Sequence, residues 1–281
     1  MVIMPMLGVN ESRKATCFPV EVTTAASWDP ALLEEIGGAI GEEARAQGVR
    51  LVLGPGAKLK RNPLCGRIFE YFSEDPHLAS RLAAVFIRGA EAQGVGTILK
   101  HFAVNSQERS RFNSDSILDV RTLREMYLTA FEIAVKEGKP STVMCAYPKL
   151  NSTPCSDHRG LLTDIPRTEW GFDGMVVTDW GAMNDRLEGF AAGCDLNMPG
   201  GSAYMEKAAL AAGKAGTLPE RFESEGVDRE SMEMPEGHLR MIEAVSRANP
   251  NTVVVRLRGG VPVGGRGEGH SLHGSAGTGG R

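Results

Sequence analysis

Met175-Val176-Val177-Thr178-Asp179-Trp180-Gly181 decides how this chain is read. Four apolar or β-branched residues make a short buried strand, and a carboxylate stands where that strand ends. In a parallel α/β barrel the carboxyl ends of the strands form the face that carries chemistry, so a polar residue there reads as functional. Trp180, directly after the carboxylate, offers a flat stacking surface that suits a sugar ring.

The segments around this run alternate in kind. Leu51-Val52-Leu53, Val95 to Leu99, Thr142 to Ala146 and Cys194 to Met198 are further short apolar strands. Between them lie helical repeats. Asp29-Pro30 opens one, with Asp as the cap and Pro at the first helical position, and Leu32, Leu33, Ile36 and Ile40 follow at helical spacing. Leu78, Leu82, Val85 and Phe86 line a second, and Leu123, Met126, Tyr127, Ala130, Phe131 and Ala134 a third, stopped at Gly138 and Pro140. Strand–helix alternation at this pace predicts βαβ units and a parallel sheet. The last third differs. Residues 201–215 are Ala-rich and helical, 219–235 are charged without a period, and Met241 to Val255 reads as a helix followed by a strand. The Gly-rich segment 259–281 is expected to be disordered, since it offers little apolar surface to bury.

Composition excludes several classes. The 281 residues carry 42% hydrophobic content and a net charge of −4, which argues against a nucleic-acid or anionic-membrane partner. No apolar run approaches the ~18 residues of a membrane span. Met1 to Leu7 lacks the charged leader of a secretory signal, and the five cysteines form no CxxC pair, so reduced thiols in a cytoplasmic setting are expected. None of His77, His101 and His158 shares a metal-ligand spacing with another His or Cys, so neither metal nor cofactor is expected.

Polar residues gather at strand ends: Lys100-His101 after Val95–Leu99, Tyr147 after Val143–Ala146, Asp179 after Val177, and Asp195 before Leu196. Lys100, His101, Arg111 and Arg67 would supply donors for a polyhydroxylated ligand around a carboxylate. Each also has a structural reading. Lys100 and His101 fit a solvated loop start, Arg67 fits a pair with Glu70 or Glu74, Tyr147 fits a core aromatic, and Asp179 fits the cap of a following helix.

Five stretches together resemble glycoside hydrolase family 3, in its β-glucosidase branch: residues 63–76, 100–108, 143–147, 176–180 and 192–199. The resemblance covers roughly residues 15–200, with a shorter piece at 218–255. It implies an α/β (β/α)8 TIM-type barrel, incomplete at its N-terminus, over 1–215, a remnant of a second α/β domain over 216–258, and the Gly-rich tail 259–281. It implies a retaining exo-β-glycosidase that removes terminal non-reducing β-D-glucosyl residues, with a small-molecule β-glucoside or oligosaccharide as its partner. Asp179 would be the nucleophile, Arg67, Lys100, His101, Arg111 and Tyr147 would hold sugar hydroxyls, and Trp180 would lie against the ring. Glu225, in Glu223-Ser224-Glu225-Gly226-Val227-Asp228-Arg229, matches the segment that carries the acid/base; the plain alternative is an exposed acidic loop.

The resemblance departs in places. The family's D-G-P motif before Cys17-Phe18-Pro19 has no counterpart, so the first barrel strand is expected to be missing. Most of the second domain's opening half is skipped near residues 213–218, and a misassembled gene model would account for the tail. A weak or inactive fragment of such an enzyme is therefore an alternative, as are a β-xylosidase or β-N-acetylhexosaminidase of the same family and, more remotely, a Schiff-base aldolase using Lys100.

Overall fold

The computed structural model describes residues 14–200 and 203–215. Strands β1 (Leu51–Val52), β2 (Gly96–Phe102), β4 (Thr142–Cys145) and β7 (Met175–Thr178) form one sheet in the order β1-β2-β4-β7, every pairing parallel. Leu196 adds a parallel bridge to Val177 at the far edge. A smaller sheet joins β3 (Asp115–Ser116), β5 (Lys149–Leu150) and β6 (Thr153–Pro154) beside it. The parallel α/β sheet matches the sequence reading; a closed barrel is not formed by the described residues. The second-domain segment 216–258 and the tail 259–281 lie outside the described residues.

Helix α1 spans Glu21–Ala25, α2 Pro30–Ala46 and α3 Pro76–Glu91. Asp29 Oδ1 accepts from Ala31 N at 2.9 Å and Leu32 N at 3.2 Å, so the expected cap is formed. Asp75-Pro76 repeats the device for α3, where Asp75 accepts from His77 N and Leu78 N. The third helix occupies residues 120–138, mixing α turns with wider π turns. Its end differs from expectation. Lys139, not Gly138, takes the left-handed cap position, with φ 56°. Gly138 serves close packing: a Cβ there would stand 3.0 Å from the Ala84 Cα of α3.

Alternate strand residues separate into two apolar layers, as the period of a strand requires. Leu99, Val143, Cys145 and Val176 join the main core with α3 and the helix at 120–138. Ile98, Met144, Val177 and Met198 form a second cluster with Leu51, Leu53, Met175, Trp180 and Leu196. A sheet apolar on both faces is the mark of parallel strands covered on both sides. At the amino ends of the strands, Glu91 accepts from the backbone N and hydroxyl of both Thr97 and Ser141, each at 2.8 Å, and ties α3 to β2 and β4. Among the described residues no helix is long and apolar enough to cross a membrane.

Candidate active site

The loops after β1, β2, β4 and β7 converge on Asp179, the residue that follows β7. It is 8% exposed. Its Oδ1 accepts from the backbone N of Trp180 at 2.7 Å. Its Oδ2 is buried without a hydrogen bond, yet faces His101 Nε2 at 3.3 Å and Arg67 Nη1 at 3.7 Å. The capping alternative for Asp179 fails, because the next helix starts only at Arg186 and is capped by Asp185.

Strand β2 runs to Phe102, three residues past its expected end, so Lys100 and His101 belong to the strand and not to a solvated loop. The peptide bonds Lys100–His101 and Phe102–Ala103 are cis. His101 is 1% exposed. Burial first, then the charges of Lys100, Arg67, Lys58 and Arg111, push its pKa well below the ordinary imidazole value, so it is neutral. Lys100 Nζ lies 3.0 Å from Glu70 Oε2, and Arg67 Nε bonds Glu70 Oε1. Burial works against the Glu70 charge, but Lys100 and Arg67 together hold its carboxyl below the usual range. The expected Arg67–Glu70 pair therefore exists, and the same guanidinium also reaches toward Asp179.

Tyr147 donates its hydroxyl to the Trp180 carbonyl at 3.0 Å. Burial and then the nearby Asp179 carboxylate raise its pKa, so the phenol keeps its proton. Arg111 lies over the Tyr147 ring at 4.2 Å, and Phe112 packs on the same ring with centroids 4.5 Å apart. Glu108 holds Arg111 from the other side at 2.7 Å. Arg67, Lys100, His101, Arg111, Tyr147, Asp179 and Trp180 are thus brought together, whereas Glu225 lies outside the described residues. Asp195 turns out to be structural: it pairs with Arg167 and accepts from Val176 N at 2.7 Å. Sequence reasoning missed Tyr71, Lys58 and Glu108. Only Glu108 left a signal, its spacing of three from Arg111. No group of three or more metal-ligating side chains occurs among the described residues.

The Asp179 carboxylate, with one buried oxygen facing the His101 imidazole and the Arg67 guanidinium, stands at the carboxyl ends of parallel strands, where an α/β fold places its chemistry. Residues 7–222 match the Glycosyl hydrolase family 3 N terminal domain, and the chain belongs to that family. It is 53% identical over 221 residues to the thermostable beta-glucosidase B of Acetivibrio thermocellus, covering 79% of this chain and 29% of that protein. It is 47% identical over 191 residues to an exo-alpha-(1->6)-L-arabinopyranosidase of Bifidobacterium longum, covering 68% of this chain and 25% of that one. The solved structure of beta-glucosidase 3B from Thermotoga neapolitana in complex with glucose superposes with a TM-score of 0.72 at 46% identity, over 76% of this chain and 31% of that one. The chain spans less than a third of the length of each of these relatives.

Proposed function

We propose that this chain carries the sugar-binding and nucleophilic half of a retaining, exo-acting β-glucosidase, on strands that belong to a (β/α)8 barrel. The observation that carries the reading is the Oδ2 atom of Asp179, buried, unbonded and aimed between His101 and Arg67. Such an oxygen has a lone pair free to attack an anomeric carbon. The bond from that carbon to the leaving oxygen breaks, a glycosyl ester forms on Asp179, and water then releases the sugar. Arg67, Lys100, His101, Arg111 and Tyr147 would hold the hydroxyls of the terminal non-reducing sugar, and Trp180 would lie against its ring.

The leaving oxygen needs a proton. Glu70 is a second carboxyl at the site, but Lys100 and Arg67 keep it ionised, so it is a poor acid. The acid/base must come from another group, and Glu225 is the residue we assign. The apolar layer of Ile98, Met144, Val177 and Met198, on the face of the sheet away from the main core, supports the barrel.

The test is hydrolysis of a 4-nitrophenyl β-D-glucoside, followed by NMR of the first-formed sugar. Turnover that yields the β-anomer first, and that is lost in Asp179→Asn, is expected. Turnover that survives in Asp179→Asn would overturn the assignment. Because the Bifidobacterium longum relative is named for an L-arabinopyranosyl substrate, a 4-nitrophenyl α-L-arabinopyranoside and a β-D-xyloside belong in the same panel. Both keep an equatorial leaving group and lack the hydroxymethyl of glucose.

A further inference from the structure

Tyr71 lies one layer behind the groups that would touch a sugar. It is wholly buried, and its hydroxyl stands 2.8 Å from Nδ1 of His101. The two rings meet edge to face at 5.9 Å, and Lys58 Nζ sits 4.6 Å from the centroid of the Tyr71 ring. The opposite nitrogen of His101 is the one that faces Asp179.

A neutral imidazole holds one proton, and its two nitrogens must take different roles. An ionised Asp179 can only accept, so the proton belongs on Nε2. Nδ1 must then accept, and the Tyr71 hydroxyl is the donor in reach. Burial, acting first, keeps the Tyr71 phenol protonated and therefore able to donate. We propose that Tyr71 is a positioning residue: its hydroxyl locks His101 in the Nε2–H tautomer and so keeps that single N–H on the Asp179 side of the ring, for the sugar hydroxyl that docks there. The tautomer rests on this geometry and on a neutral His101; its consequence for turnover rests on the glycosidase reading above. Without the hydroxyl, Nδ1 would be a buried acceptor with no donor, and the proton could sit on either nitrogen.

The experiment uses the full chain and its Tyr71→Phe variant, which keeps the ring and its packing. Imidazole nitrogens are labelled with 15N, and two-bond proton–nitrogen correlations read the His101 tautomer. The Nε2–H pattern is expected in the wild type and a mixed pattern in Y71F. On the aryl β-glucoside, Y71F is expected to lose about 10-fold in kcat/KM, the scale of one lost hydrogen bond. The control is His101→Gln, whose side-chain amide places an N–H near the Nε2 position without needing Tyr71. In that background Y71F should cost less than about twofold, because no tautomer remains to lock. An Nδ1–H pattern in the wild type, an unchanged tautomer in Y71F, or equal losses in both backgrounds would overturn the proposal. A wild type with no glycosidase activity would overturn the functional reading instead, and the NMR pattern would still decide the role of Tyr71.

Discussion

Replacing Glu70 by Gln takes one negative charge from between two cations while keeping the side chain's shape. Lys100 Nζ is 3.0 Å from Glu70 Oε2, and both side chains are 14% exposed. Arg67, bonded to the other oxygen, is 21% exposed. At an effective dielectric near ~20, a pair at this distance is worth roughly 5 kcal/mol before desolvation is subtracted. Removing one partner from a mostly buried pair costs about 3 kcal/mol after that offset. For a domain of this size that is about 6–12 °C in melting temperature. The pH dependence has a definite sign. The folded Glu70 carboxyl lies below its ordinary value of 4.5, so its contribution is complete above that pH and is lost as the pH falls through the lower folded value. Glu70→Gln should remove that part of the acid limb. It should also free Arg67 to close on Asp179, now 3.7 Å away, and so lower kcat/KM in excess of the stability loss. Urea unfolding of wild type, Glu70→Gln, Lys100→Met and the double variant between pH 3 and 8 isolates the coupling, and aryl β-glucoside kinetics read kcat/KM. A Glu70→Gln protein within about 0.5 kcal/mol of wild type, with an unchanged acid limb, would refute the reasoning.

Other expectations are equally direct. Glu91→Ala leaves the buried ends of β2 and β4 without the acceptor for Thr97 N and Ser141 N, and should cost about 2–3 kcal/mol by urea unfolding. Lys58, 1% exposed, is lowered by burial to about 8 from an ordinary 10.5. Between those values the unfolded chain binds more protons, so wild-type stability should rise with pH across that window. Lys58→Met should be the more stable protein at pH 7, by up to about 3 kcal/mol, with the advantage vanishing by pH 10.5; a difference that ignores pH would contradict this. A Cβ at Gly89 would lie 2.1 Å from the Glu34 carbonyl oxygen of α2, so Gly89→Ala should lower stability by about 2 kcal/mol despite the better helix propensity of Ala.

The strands were legible because each is a short apolar run between breaks: four of those runs form the parallel sheet, and Cys194–Met198 adds only the bridge at Leu196. The apolar run of β2 ends at Leu99, and Lys100 and His101 look like a loop start although they stand inside the strand. The two-residue strands β3, β5 and β6 carry no period to read. The helix Gly160–Glu169 was missed because Pro166 interrupts its pattern. At the site, strand-end polar residues announced themselves by position. Tyr71 did not, since an aromatic within a charged stretch gives no sign that it will be buried against an imidazole of β2. Asp195 shows the limit of the strand-end argument: the same placement there builds a clamp between Arg167 and β7.

The central claim is that Asp179 is a nucleophile in an assembled sugar site. Incubation of the full chain with 2-deoxy-2-fluoro-β-D-glucosyl fluoride, followed by intact-mass and peptide mapping, tests it most directly. The fluoride departs without an acid, and the fluorine slows release of the ester, so the measurement does not depend on Glu225. A stoichiometric mass increase on Asp179 is the predicted result. Folded protein that gains no mass, or gains it on another residue, would contradict the account.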